Sequence, residues 1–120
     1  MSQTTQCKRR ETMKKAELNG CHQGTGITDF TGVILPGDLH EKHLRFMHDD
    51  RLRPGATIGM HRHESDEEYY YFLAGTGTMI LDGERLPVRA GDVTAVFPGG
   101  SHGLINDGDI DLRFIVVSVA

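Results

Sequence analysis

The chain has 120 residues, of which 38% are hydrophobic and 25% charged, and its formal net charge at pH 7 is -4. This length suffices for one compact domain with a buried core and is too short for two ordinary domains. We expect no membrane partner, because no apolar run approaches the roughly 20 residues that a transmembrane helix requires. We expect no nucleic-acid partner either, because phosphate-backbone binders concentrate Lys and Arg.

Residues 1–25 are polar and show no sustained hydrophobic period, so we predict a flexible N-terminal arm followed by a single domain at residues 26–120. A weak helical pattern over residues 11–18 is too slight to predict a helix. The arm lacks the apolar stretch of a secretory signal, and the chain has two cysteines, Cys7 and Cys21. We therefore expect a cytoplasmic protein.

From about Gly26 onward, short segments rich in β-branched and aromatic residues alternate with Gly, Pro and Asp. The dipeptide Asp82-Gly83 is typical of a two-residue hairpin loop, because such a loop needs positive φ angles. The pattern predicts an all-β domain of mainly antiparallel strands. The predicted strands cover residues 32–35, 43–49, 57–63, 69–74, 77–81, 84–88, 93–97, 103–106 and 112–119.

Side chains that can bind a metal are concentrated around His61. His61 and His63 lie two residues apart on a predicted strand, so their side chains share a face, with Cα atoms roughly 6.6 Å apart. Two imidazoles at this spacing can chelate one ion, and a carboxylate adds a hard oxygen donor with a negative charge. Glu68 can supply this carboxylate from the neighbouring strand, and Glu67 is the competing candidate.

Side-chain alternation along a strand bears on this choice. If Glu68 faces the interior, Tyr70 and Phe72 lie on the same face, and Glu67 faces the other way. Further along the chain, a turn rich in Gly and Pro places His102 at the start of a strand, where it can complete the site.

The stretch around His61 resembles the first motif of the cupin superfamily. That motif reads Gly, five residues, His-x-His, three or four residues, Glu, six residues, Gly. Its spacing favours Glu68 over Glu67. The matching positions are Gly55, His61, His63, Glu68 and Gly75.

A second stretch resembles the second cupin motif, which reads Gly, five residues, Pro-x-Gly, two residues, His, three residues, Asn. One position departs from this pattern, because Phe97 stands where the family has its first Pro; Pro98 can still stiffen the turn. The matching positions are Gly91, Gly99, His102 and Asn106.

The resemblance implies a small single-domain cupin, with a jelly-roll β-barrel and frequent formation of homodimers. It also implies one divalent transition-metal ion, held by His61, His63, Glu68 and His102. Iron, manganese, nickel, cobalt, copper and zinc all accept such a ligand set. We expect the four remaining histidines, at positions 22, 40, 43 and 48, to be surface or loop residues.

Four further residues are candidates for substrate binding. Tyr70 and Phe72 either line the cavity or simply pack in the core. Arg45 either binds a substrate anion or pairs with Asp49 on the same strand face. Asn106 either contacts substrate or caps a turn.

Two functional hypotheses follow from an open metal position. In the first, the protein is a metal-dependent enzyme (isomerase, dioxygenase, decarboxylase or lyase) acting on a small polar metabolite, with Glu68 as a catalytic residue. In the second, the protein binds or senses a small molecule without transforming it. The cupin fold by itself does not choose between these hypotheses.

Overall fold

The computed structural model describes residues 6–38 and 43–120, and all structural statements refer to these residues. The all-β prediction is confirmed: the described chain has ten β-strands, with short 3-10 helices at Arg10–Thr12 and Cys21–Gln23. In these two ranges no helix is long and apolar enough to span a membrane. The strands are β1 (Lys14–Asn19), β2 (Ile27–Ile34), β3 (Leu44–Leu52), β4 (Thr57–Arg62), β5 (Glu67–Ala74), β6 (Thr76–Leu81), β7 (Glu84–Arg89), β8 (Val93–Val96), β9 (Ser101–Ile105) and β10 (Leu112–Val119).

The strands form two antiparallel sheets. The larger sheet has the order β1-β2-β3-β10-β5-β8, and the smaller has the order β4-β9-β6-β7. Each sheet is hydrogen-bonded separately, so the described strands form two packed sheets rather than one continuous closed barrel. The predicted Asp82-Gly83 turn joins β6 to β7, and both residues have positive φ angles, 48° and 85°.

The core lies between the two sheets. Phe72 and Phe114 of the larger sheet and Met79 and Leu104 of the smaller sheet are completely buried and belong to one apolar cluster. Strand alternation explains this arrangement, because every second residue of β10 is buried. The side chains of the larger sheet that face the smaller sheet form its inner face.

β1 lies within the segment that we predicted to be a flexible arm. All six of its residues pair with β2, from Lys14 opposite Gly32 to Asn19 opposite Ile27. Five of the six are exposed and one is half-buried, so the strand lacks the alternation that reveals a half-buried strand in a sequence. The flexibility of residues 1–25 and the boundary at residue 26 remain predictions.

The 3-10 helix Cys21–Gln23 packs closely against β4. A Cβ atom on Gly59 would lie 2.0 Å from the His22 carbonyl oxygen, and one on Gly24 would lie 2.3 Å from the Thr57 carbonyl oxygen. Only glycine allows backbones to approach so closely. His22 itself adopts a left-handed conformation, with φ 50° and ψ 41°. This packing brings the His22 side chain to the end of β4.

Candidate metal centre

Three strands and one turn bring the four predicted metal ligands together. His61 on β4 lies opposite His102 on β9, Glu68 enters from β5, and His63 follows the end of β4. The ligand atoms all lie within 4.8 Å of one another. His102 Nε2 lies 3.0 Å from His61 Nε2, 3.1 Å from His63 Nε2 and 3.1 Å from Glu68 Oε1.

The hydrogen bonds made by Nδ1 of His61 and of His63 show that Nε2 of each ring faces the other predicted metal ligands. His61 Nδ1 lies 2.8 Å from the Gly59 carbonyl oxygen, and His63 Nδ1 lies 3.0 Å from Asp66 Oδ1. Because both partners accept hydrogen bonds, each Nδ1 carries the proton, and each Nε2 presents a lone pair. Burial lowers the pKa of His61 to about 4, so its imidazole is neutral at pH 7.

This donor set fits a metal cation. The Nε2 atoms of His61 and His63 and the Oε1 atom of Glu68 all lie about 3 Å from His102 Nε2, which can donate at most one proton to these three acceptors, whereas one cation can bind all four atoms. Two nitrogens bound to one ion at about 2.1 Å and at right angles would lie about 3.0 Å apart. The observed spacings therefore suit chelation of one ion.

A layer behind the ligands orients His63. Asp66 Oδ2 accepts a hydrogen bond from Ser118 Oγ at 2.7 Å and lies 3.0 Å from a guanidinium nitrogen of Arg45. Arg45 thus supports Asp66, and the suggested pair between Arg45 and Asp49 is wrong. Asp49 instead accepts two hydrogen bonds from Arg113 and one from Arg10.

Tyr70 lies on the inner face beside the ligands, and its ring centroid is 5.0 Å from that of His102. Burial, followed by the negative charges of Glu68 and Asp50, raises the pKa of Tyr70 well above its ordinary value. Its hydroxyl therefore stays protonated. Phe72 is completely buried in the apolar core, with its ring 5.7 Å from that of Phe114, which corrects its suggested role in substrate binding.

Glu67, the competing carboxylate, points away from the histidines and accepts a hydrogen bond from the Tyr69 hydroxyl. Asn106 has no exposed surface, and its amide donates to the carbonyl oxygens of Leu52 and Ile110. Its side-chain oxygen accepts from the Gly108 amide. Because both amide protons are used, Asn106 stabilises a turn, which corrects its suggested contact with substrate.

A cavity of about 140 Å³ adjoins the ligand cluster. Cys21, His22, His48 and Asp50 line it together with Glu68 and Tyr70, the nearest inner-face residues of β5. The other lining side chains are mainly apolar: Leu18, Thr28, Phe30, Phe46, Ile58 and Val116.

His48 was predicted to be a surface or loop residue, and this prediction is wrong, because His48 lies on β3 and is half-buried. His22 is exposed and lies in the connection between β1 and β2, as predicted, although it also lines the cavity. The ring of His22 stacks on the ring of His61, with centroids 3.6 Å apart and planes at 9°. His48 stacks on Phe46 at 4.4 Å. Strand alternation could have indicated His48, which shares a face of β3 with Asp50, whereas no sequence spacing indicated His22. His43 is exposed, and His40 lies outside the described residues.

A larger and more open cleft of about 560 Å³ lies elsewhere, against the β6–β7 hairpin. It contains none of the four predicted ligands, and its lining includes Arg89, Asp92 and Asp107. Volume alone is therefore a poor guide to the site in this molecule.

Two facing antiparallel sheets, with three imidazoles and one carboxylate converging at their inner face, define the cupin class of proteins. The chain belongs to this family: the cupin domain model matches residues 49–118. The predicted family is thus confirmed, and its jelly-roll architecture fits the two sheets described above.

Two of the matches come from Thermotoga maritima. An oxalate-binding protein is 32% identical over 102 residues, which cover 85% of this chain and 84% of that protein. The crystal structure of a predicted oxalate decarboxylase matches with a TM-score of 0.85 and 31% identity, covering 92% of this chain and 96% of the other.

A polyketide cyclase from Streptomyces resistomycificus matches with a TM-score of 0.77 over 97% of this chain and 80% of the other. Its sequence is 19% identical, so this likeness extends to the fold alone.

Proposed function

We propose that the protein binds one divalent transition-metal ion through His61, His63, Glu68 and His102, and that it acts as a metal-dependent enzyme on a small oxygen-bearing metabolite. The observation that carries this proposal is the convergence of three imidazole nitrogens and one carboxylate oxygen within 4.8 Å. A bound metal ion would supply Lewis acidity toward a substrate oxygen.

Each residue around such a site would have its own role. Gly59 and Asp66 hold two imidazoles in the tautomer that directs Nε2 inward. Glu68 supplies a negative charge, and the neutral hydroxyl of Tyr70 can donate a hydrogen bond to a substrate oxygen. The ring of His22 covers one side of His61 and restricts access to it.

A second candidate function is non-catalytic binding of a small molecule. The observation that favours it is the name of the relative from Thermotoga maritima, which is described as oxalate-binding. Oxalate can offer two oxygen atoms to a metal ion, so it belongs in any ligand panel for this protein.

Elemental analysis of untagged protein, followed by a substrate panel with each metal restored, tests the proposal. We expect one metal per chain and turnover of at least one compound among small carboxylic acids, keto acids, sugars and aromatic diols. Glu68→Gln should weaken metal binding and alter turnover at saturating metal, because it keeps one oxygen donor and removes the charge. Tight binding without turnover would favour the second function, and turnover that survives removal of the metal would refute both.

The proposal includes a homodimer in the cytoplasm. Several large apolar side chains of β5 and β8 are exposed on the outer face, among them Tyr71, Leu73 and Val93, and they support a contact between two copies. Both cysteines are free thiols, as is usual in the cytoplasm. Light scattering at micromolar concentration would refute the dimer if it detected monomer alone.

A further inference from the structure

Asp50 lines the cavity beside the metal ligands, and one oxygen of its buried carboxylate lacks a hydrogen-bond partner among the described residues. Among residues 6–38 and 43–120, two buried side-chain oxygens have no hydrogen bond, Asp50 Oδ1 and Thr94 Oγ1. Asp50 is 6% exposed. Its other oxygen, Oδ2, lies 3.8 Å from His48 Nδ1, which is longer than a hydrogen bond. The backbone amide of Thr31 lies close enough to this carboxylate to favour its charged form, so the unsatisfied group is the single oxygen Oδ1. Leaving a buried oxygen unsatisfied is costly, so Oδ1 requires a polar partner such as water or a ligand group.

The sheet register places Asp50 and the metal ligands on one surface. Phe46, His48 and Asp50 alternate along the inner face of β3, and strand β10 lies between them and Glu68 and Tyr70 on β5. His48, Val116 and Tyr70 form one row across the sheet, and Phe46, Ser118 and Glu68 form the next. The cavity therefore runs from Glu68, at the metal centre, across Tyr70 to Asp50.

The walls of this cavity restrict what it can hold. Phe30, Phe46, Ile58 and Val116 present apolar surface to the middle of the cavity. A volume of about 140 Å³ is close to that of a cavity of about 150 Å³ that holds benzene. The cavity has apolar walls between the carboxylates of Glu68 and Asp50, so it suits a compact ligand with polar groups at its two ends.

Asp50 also selects the kind of polar group at its own end. An ionised carboxylate accepts hydrogen bonds and repels a second anion. Oxalate at neutral pH is a dianion without a hydrogen-bond donor, so it leaves Asp50 Oδ1 unsatisfied. A hydroxyl group satisfies Asp50 Oδ1 without adding charge.

We propose that this cavity binds a compact hydroxylated carboxylate, whose hydroxyl donates a hydrogen bond to Asp50 Oδ1 while its carboxylate reaches the metal centre. This inference rests on the proposed function, because it needs a metal at His61, His63, Glu68 and His102. It makes Asp50 a specificity-determining residue, positioned by the inner face of β3.

Matched ligand pairs test the role of the hydroxyl. Full-length protein loaded with Co²⁺ is titrated with benzoate, 3-hydroxybenzoate and 4-hydroxybenzoate, and with propionate and 3-hydroxypropionate, while calorimetry and the visible Co²⁺ spectrum are recorded. We expect at least one hydroxylated compound to bind about tenfold more tightly than its parent. In Asp50→Asn this preference should fall by at least about threefold, whereas Asp49→Asn, on the opposite face, should keep it.

The two cysteines provide a measurement that needs no variant. Cys21 lines the cavity and Cys7 is exposed outside it. A hydroxylated ligand at ten times its dissociation constant should slow alkylation of Cys21 by iodoacetamide about tenfold. Alkylation of Cys7 should stay unchanged, and mass spectrometry distinguishes the two peptides.

The outcomes separate this inference from the proposed function. Retention of one Co²⁺ per chain without any preference for a hydroxyl would overturn the inference and leave the metal centre standing. A preference that is unchanged in Asp50→Asn would also overturn it. Failure to retain Co²⁺ would refute the proposed function itself.

Discussion

Asp49 and Asp50 are neighbours on β3, and each is 6% exposed. They lie on opposite faces of the larger sheet, and they differ in their hydrogen-bond partners and in the direction of their pKa shifts. On the outer face, hydrogen bonds from Arg113 and then Arg10 lower the pKa of Asp49 despite its burial. On the inner face, burial raises the pKa of Asp50, and one of its oxygens has no protein partner. The Asp49 carboxylate is hydrogen-bonded by two arginines, whereas Asp50 Oδ1 has no hydrogen-bond partner among the described residues.

The same contrast extends to the charged groups around them. On the outer face, Arg113 and Arg10 compensate the charge of Asp49. The inner face gathers Glu68 and three imidazoles, and within residues 6–38 and 43–120 no Lys or Arg forms an ion pair with Glu68. The variants below change residues at the inner face, and each is compared with a variant of a residue that lies outside the site.

The largest expected effect is on metal content. The double variant His61→Ala, His63→Ala removes two of four donors, so metal should fall from one per chain to less than about a tenth, because each lost donor weakens chelation steeply. Elemental analysis after dialysis measures the change. His43→Ala, at an exposed position, should keep full occupancy. Stoichiometric metal in the double variant would refute the site.

Asp66 tests the layer behind the ligands. Asp66→Asn should weaken metal affinity about 10- to 100-fold, because it removes the charge that holds the Nδ1 proton of His63 and can turn a donor toward it. Competition with a chelator of known affinity gives the change. Asp49→Asn has the same chemical change on the outer face and should leave metal affinity within about twofold. Equal affinities in the two variants would contradict this role.

Stability should change in opposite directions at the two aspartates. In metal-free protein at pH 7, Asp49→Asn should lower the free energy of unfolding by about 1 to 3 kcal/mol, because two arginines lose a charged acceptor. Asp50→Asn should raise it by about 1 kcal/mol, because it removes a buried, poorly paired charge. Urea unfolding measures both values. Destabilisation of similar size in both variants would show that Asp50 is structural.

The pH dependence of these two differences follows from the pKa shifts. Asp49 has a lowered pKa, so its contribution is present above its ordinary value of 3.8 and is lost as pH falls through the lower, folded value. Asp50 has a raised pKa, so the advantage of Asp50→Asn is present at neutral pH and is lost as pH falls through a value above 3.8.

On acidification, the gap between wild type and Asp50→Asn should therefore close first, and the gap for Asp49→Asn should close at lower pH. Urea unfolding between about pH 3 and pH 7 determines the order. The reverse order would contradict the assignment of the two faces.

Tyr70 gives the smallest expected effect. Tyr70→Phe removes a single neutral hydroxyl, so metal content should be unchanged and ligand affinity or turnover should shift about 2- to 10-fold. Calorimetry with metal-loaded protein measures the shift. Tyr71→Phe, on the outer face of the same strand, is the matched control and should behave like wild type. A loss of metal in Tyr70→Phe would show that the hydroxyl belongs to the metal centre itself.

Local features of the sequence were enough to predict most of the fold and the ligand cluster. Strand alternation and turn chemistry predicted β3 to β10, because these strands bury one face and end near Gly, Pro or Asp. Of β2 they predicted only the last three residues, because its burial pattern does not alternate. The spacing of His61, His63, Glu68 and His102 predicted their convergence, since residues two apart on a strand share a face.

Tertiary structure alone decided the surroundings of that cluster. β1 has no buried face and is specified by its pairing with β2, which local sequence does not encode. The contacts of His22 with His61, and of Arg45 with Asp66, join residues that are distant in the chain. Which residues meet across a sheet depends on strand order and register, and these emerge only when the two sheets pack. The sequence by itself therefore determined the family and the ligand types, whereas packing decided which face of β3 adjoins the site and that Asp50 lines the cavity.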